Sequence, residues 1–129
     1  MSSVLIVDDE PDSCEFVSRF LQKHGYSTRC VPNGREALAF LLRNGIQAVI
    51  LDVRMPELDG ISLLEILRSY LRWHALPVIL VTAHATPEQL DKAKALGVHA
   101  IFQKSGYKLV DLLACLQQVV PPASAQGGA

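Results

Sequence analysis

The chain has 129 residues, half of them hydrophobic, and a formal net charge of −1. That length suits one domain with its own core, and no apolar run approaches the ~20 residues of a membrane span. The near-neutral charge leaves no broad electrostatic footprint for nucleic acid.

In chain order, the first apolar run, Val4–Val7, stops abruptly at Asp8-Asp9-Glu10-Pro11. Pro11 suits the first position of a helix; Phe16, Val17, Phe20 and Leu21 are its expected buried stripe, and Gly25 its stop. A second strand is expected over Ser27–Val31, and Asn33 with Glu36 reads as the cap of a second helix ending near Asn44-Gly45. The third strand, Ala48–Leu51, ends in Asp52. Asp59 then caps a third helix carrying Leu63, Leu64 and Leu67, and Trp73 is expected to cover an apolar edge beyond it. The fourth strand, Val78–Val81, ends in Thr82. Thr86-Pro87-Glu88-Gln89 has the capping-box pattern, and Gly97 closes that helix. The fifth strand, Ala100–Gln103, runs into Lys104; Leu109, Leu112, Leu116 and Val119 share one face of a last helix that Pro121-Pro122 ends. One domain over residues 1–120 is expected, with 121–129 a flexible tail or the start of a linker.

Three of the strands, "VLIV", "AVIL" and "VILV", are continuously apolar, which suits strands covered on both faces. Five β-α units predict an α/β fold: a doubly wound, five-stranded parallel sheet of order 2-1-3-4-5 with helices on both faces. In such sheets the functional crevice lies beyond the carboxyl ends of the strands, where winding reverses. Asp8, Asp9, Asp52, Thr82 and Lys104 would then share one edge.

Two like charges about 4 Å apart repel by roughly 1 kcal/mol in water and by more near a protein surface. Three carboxylates against one ammonium therefore call for a counter-charge. A hard divalent cation, Mg²⁺, takes carboxylate and carbonyl oxygens and is often completed by a phosphate oxygen. A carboxylate beside it can act as nucleophile toward phosphorus, with Lys104 and Thr82 as donors to the phosphoryl oxygens. Asp52, at the end of a central strand, has the stiffest platform and is the candidate nucleophile.

Cys14, Cys30 and Cys115 are odd in number, with no C-x-x-C spacing, so free thiols are expected rather than a disulfide or a zinc site. His24, His74, His84 and His99 are dispersed. No phosphate-cradling glycine loop is present, so nucleotide binding has little support. With no signal-like segment before the first strand, the chain reads as soluble and cytoplasmic.

The acidic pair Asp8-Asp9, the D-x-x-M-P-x-x-D-G run from Asp52 to Gly60, the Thr82-Ala83 pair and Lys104, in that order, resemble the response-regulator receiver domain of bacterial two-component signalling, with its flavodoxin-like fold. The resemblance covers residues 3 to about 120. It implies that Asp52 accepts a phosphoryl group from a sensor histidine kinase or phosphotransfer protein. It implies that Asp8, Asp9, Asp52 and the backbone carbonyl of Arg54 surround Mg²⁺, and that Thr82 and Lys104 bind the phosphoryl oxygens. It further implies a population shift on phosphorylation, slow self-dephosphorylation, and a downstream protein target on the face of helix 4, strand 5 and helix 5. The only catalysis implied is the domain's own phosphoryl transfer and hydrolysis, with no direct nucleic-acid or membrane contact.

The chain departs from the family pattern in places. Ile101 stands where the family usually has Tyr or Phe, and Phe102 is expected on the opposite strand face. Ser105 follows Lys104 where a proline is common, so a trans bond is expected there. Tyr107 and Lys108 are the only polar candidates near the helices through which some DNA-binding relatives dimerise. By resemblance, Arg54 and His84 flank the phosphoryl group and tune its hydrolysis. Two alternatives stand beside this reading: a constitutive interaction module with the same fold, and an aspartyl-phosphate phosphatase, whose D-x-D-x-[TV] pattern D-D-E-P does not match.

Overall fold

The computed structural model describes residues 2–55 and 57–123; Pro56 of the D-x-x-M-P run and the end of the expected tail, 124–129, lie outside them. Five strands, β1 (Ser3–Val7), β2 (Ser27–Val31), β3 (Ala48–Leu51), β4 (Val78–Thr82) and β5 (Ala100–Gln103), form one parallel sheet of order β2-β1-β3-β4-β5. Between and after them run α1 (Pro11–Lys23), α2 (Gly34–Arg43), α3 (Gly60–Ser69), α4 (Pro87–Ala95) and α5 (Leu109–Val119).

The central strands are apolar throughout because both their faces are covered. Alternate residues go to opposite sides. Leu5, Val7, Val49, Leu51, Val78 and Leu80 pack with Ala37 and Leu41 of α2, Leu63, Leu64 and Leu67 of α3, and Ala93 of α4. Val4, Ile6, Ala48, Ile50, Ile79 and Val81 pack with Cys14, Val17 and Leu21 of α1 and Leu112, Leu113 and Leu116 of α5. Leu63, Leu64 and Leu67 are wholly buried, each burial contributing roughly 1.5–3 kcal/mol. Trp73 is buried in the first of these cores.

Local signals place the helix starts. Asn33 accepts from the Glu36 N–H at 2.8 Å, and Asp59 from the Ser62 N–H at 2.8 Å. Thr86 and Gln89 complete a capping box, with bonds of 3.1 and 2.9 Å. Gly25 and Gly97 follow α1 and α4 with φ of 92° and 75°, a left-handed region open to glycine. Ala123 donates its N–H to the Gly25 carbonyl at 3.0 Å, so the chain stays on the domain that far.

Three details concern expectations from sequence. Phe16 is 65% exposed; the buried stripe of α1 is Cys14, Val17 and Leu21, at the i, i+3, i+7 spacing that puts Phe16 off the core face. Cys14 and Cys30 form a disulfide rather than remaining free thiols, with Cα atoms 6.1 Å apart, while Cys115 is free. The crossover from β1 through α1 to β2 lays the first turn of the helix against the end of the edge strand, within reach of a cystine. No short Cys spacing announces such a pair. The Lys104–Ser105 bond is trans, as expected, and no cis peptide occurs among the described residues.

Candidate functional site

Strand register assembles the site. Val7 lies opposite Leu51, and the next backbone N–H in β3's direction, that of Asp52, donates to the Val7 carbonyl at 3.0 Å. Asp8 donates its N–H to the Val31 carbonyl at 3.0 Å, and Lys104 its N–H to the Thr82 carbonyl at 2.8 Å. The ladder thus continues one residue past β1, β3 and β5, and Asp8, Asp52 and Lys104, with Thr82 as the last residue of β4, leave the same edge of the sheet from fixed backbone.

The Lys104 ammonium is the hub. Its Nζ donates to Glu10 Oε1 at 2.6 Å, to Asp8 at 3.1 Å and to Asp52 Oδ2 at 3.2 Å. The other oxygen of Asp52 accepts the Arg54 N–H at 3.2 Å, and Asp8 accepts the Glu10 N–H at 2.9 Å. Asp52 is buried, at 6% exposure. Burial raises its pKa above the ordinary value; the Lys104 charge and hydrogen bond and the Arg54 N–H pull it down, and the Asp8 charge adds to the rise. Burial works against the charge on Lys104, but its bonds to Glu10 and Asp8 and the charges of Asp8 and Asp52 prevail, so its pKa rises. The Lys104 hydrogen bond and charge lower the pKa of Glu10.

Asp8, Asp9 and Glu10 bring carboxylate oxygens within 4.8 Å of one another. Asp52 is not a member of that triad and meets Asp8 through Lys104. Asp9 lines a cleft of about 450 Å³ together with Arg54, Met55 and Asp59. A second cleft, about 490 Å³, is lined by Arg54, Thr82, His84, Ile101 and Gln103. The Thr82 hydroxyl is buried without a hydrogen-bond partner among the described residues, a state that usually signals a functional group or a missing ligand. Oxygen donors this dense, whose ion pairs among the described residues are all with Lys104, fit a hard divalent ion such as Mg²⁺.

Sequence reasoning brought forward Asp8, Asp9, Asp52, Thr82 and Lys104, and missed two residues. Glu10 is the N-cap of α1 yet makes no side-chain cap; its carboxylate goes to Lys104. The signal was present, as a third acid before Pro11. Gly60 donates its N–H to the Val53 carbonyl at 2.9 Å, and a Cβ there would run into the Asp52 carbonyl. The Asp-Gly pair was visible, but what lies against it was not. Ile101 and Phe102 do divide between the two sheet faces, Phe102 packing on Tyr107 with centroids 5.8 Å apart.

Comparison with known proteins agrees with this fold. The family described as "Response regulator receiver domain" matches residues 4–117. The regulatory protein VanRc of Enterococcus gallinarum is 35% identical over 97 residues, 75% of this chain and 40% of its own length. AtoC of Escherichia coli strain K12 is 38% identical over 97 residues, 75% of this chain and 21% of its own. The chain therefore spans less than half of these two relatives. The crystallised Vibrio cholerae chemotaxis protein CheY4 superposes with a TM-score of 0.83 at 31% identity, over 93% of this chain and 99% of that one. With a family match over residues 4–117 and a fold that superposes on a solved chemotaxis regulator, the chain belongs to the response regulator receiver domains of two-component signalling.

Proposed function

We propose that this domain is a phosphorylation-dependent switch in which Asp52 takes a phosphoryl group from a phosphorylated histidine of a sensor kinase or phosphotransfer protein. The observation that carries the reading is the bridging of buried Asp52 to Asp8 by the Lys104 ammonium. Asp8, Asp9, Asp52 and the Arg54 carbonyl would hold Mg²⁺, which when bound offsets the surplus negative charge and that of incoming phosphoryl oxygens.

The rest falls to the chain's own groups. An Asp52 oxygen attacks phosphorus and the imidazole nitrogen of the donor leaves. The rigid end of β3 holds that oxygen in place, since a nucleophile gains most from fixed geometry. Lys104 exchanges part of its contact with the acids for a phosphoryl oxygen. Thr82 turns its unpartnered hydroxyl to another. Recruiting Thr82 repacks the cleft it shares with Ile101, Gln103 and His84, and so carries the change to the α4–β5–α5 face, where a protein target docks. Ile101 transmits this by packing, having no ring to swing. Arg54 and His84, on the wall of the same cleft, control how water reaches the phosphoryl group, and hydrolysis is slow.

Incubation with Mg²⁺ and acetyl phosphate, followed by mass spectrometry, is expected to yield one phosphoryl adduct that is absent in Asp52→Asn. A constitutive interaction module would give no adduct, and a phosphatase would turn over substrate; either result would overturn the reading.

A further inference from the structure

We propose that Cys14 and Cys30 are a reversible thiol–disulfide pair that clamps the acidic loop Asp8–Glu10, so that oxidation tightens the pocket's hold on a divalent cation. The second half of this rests on the cation-binding reading above. The pair brackets the loop through backbone. Cys14, in the first turn of α1, donates its N–H to the Glu10 carbonyl at 3.0 Å, and the residue after Cys30, Val31, accepts the Asp8 N–H at 3.0 Å. A bond between the two sulfurs thus closes a ring around the segment that carries Asp8, Asp9 and Glu10.

The rest of α1 does not depend on that bond. One turn further on, Ser18 Oγ lies 2.5 Å from Thr28 Oγ1, and Gln22 donates to the same Thr28 oxygen at 2.9 Å. Val17 and Leu21 stay in the core. Opening the disulfide therefore removes one tether from the first turn and the acidic loop, which Lys104 still holds through Asp8 and Glu10, while the helix remains docked. The reduced state also has a place for the buried sulfur: Cys14 Sγ is 3.6 Å from the Ile6 carbonyl oxygen, to which a thiol, but not a disulfide, can donate.

Access is asymmetric. Cys14 is 3% exposed, whereas Cys30 is exposed. A cleft of about 430 Å³ between α1 and β2, lined by Asp8, Pro11, Cys14, Thr28 and Cys30 among others, opens over both. With glutathione disulfide as oxidant, the Cys30 thiolate attacks one of its sulfurs and expels one glutathione thiolate, giving a mixed disulfide. The Cys14 thiolate then attacks the Cys30 sulfur and expels the second. Two electrons pass to glutathione disulfide, and the protons of the two cysteine thiols end on two glutathione thiols. In reducing compartments such bonds are typically transient and redox-sensing.

The test uses the full chain, fully reduced or treated with glutathione disulfide. Free thiols should fall from three to one, Cys115 alone remaining, and return on adding dithiothreitol. Amide exchange over residues 8–14 should be slower in the oxidised form. Calorimetric titration should show Mg²⁺ held about threefold or more tightly by the oxidised form, the gain expected from preorganising the loop. Cys30→Ser, a change at an exposed side chain, should behave as the reduced form under both conditions. Thiols that do not pair, pairing that dithiothreitol does not reverse, or equal amide exchange in the two forms overturns the clamp. Equal Mg²⁺ affinity overturns its coupling to the pocket. Absence of Mg²⁺ binding in both forms refutes the cation reading and the coupling with it, while the exchange contrast still decides the clamp.

Discussion

At single-residue scale, the proposed roles of Thr82 and Asp52 set function against stability. A buried hydroxyl with no partner costs about 1–3 kcal/mol, and Thr82 Oγ1 is in that state among the described residues. Thr82→Val, nearly the same shape, is expected to stabilise the domain by about 1 kcal/mol in urea unfolding, yet to slow phosphoryl uptake from acetyl phosphate by on the order of tenfold or more. Asp52 carries a similar burden as a charge. Its pKa in the fold lies above the ordinary value of 3.8, chiefly because it is buried. The folded state therefore holds this proton more tightly than the unfolded chain does. Its contribution to stability is full below 3.8 and is lost as pH rises through the folded pKa. Asp52→Asn removes the charge while Lys104 keeps Asp8 and Glu10. The variant's gain in melting temperature over the parent should accordingly be larger near pH 7 than near pH 4. Glu10 titrates in the opposite sense, since Lys104 lowers its pKa, but it is common to both proteins and drops out of the difference.

The start of α3 shows the same coupling at the scale of an element. Asp59 caps the helix, and Gly60 lets it approach the backbone of Asp52 and Val53 so closely that a methyl group has no room. Gly60→Ala is expected to cost about 1–3 kcal/mol, as overpacking does, and to weaken phosphoryl uptake because Asp52 itself is displaced. Gly45→Ala, where a Cβ meets nothing within 4 Å, should stay within about 0.5 kcal/mol of the parent in the same urea series. In the loop between β3 and α3, Glu57 takes a φ of 65°, uncommon for a residue with a side chain. The left-handed turn before Asp59 was not visible in sequence, because glycine or asparagine is its usual signal.

Across the whole molecule, the proposed cation site on one sheet edge would make folding and cation binding a linked equilibrium. An ion that binds only the folded state at about 100 times its dissociation constant stabilises by about 2.7 kcal/mol. Mg²⁺ at that level is expected to raise the urea midpoint by the corresponding amount, and a chelator to reverse it. Asp9→Asn, at an exposed side chain, should leave the metal-free midpoint nearly unchanged and shrink the shift. A midpoint indifferent to Mg²⁺ would refute the ion's place in the pocket.

The five strands, the caps at Asn33, Asp59 and Thr86, and the convergence of Asp8, Asp52, Thr82 and Lys104 were all legible in the amino-acid sequence, because each depends on local pattern and on the few ways five β-α units can wind. Which groups touch across that edge depended on the folded chain. Lys104 was expected to face three aspartates, but it takes Asp8, Asp52 and Glu10, because side-chain reach from a fixed backbone, not order in the chain, selects its partners. Phe16 lies outside the core and Cys14 meets Cys30 for a related reason. The rotation of α1 about its axis and its seat on β2 are set by packing against two distant elements, and no short stretch of sequence contains that information.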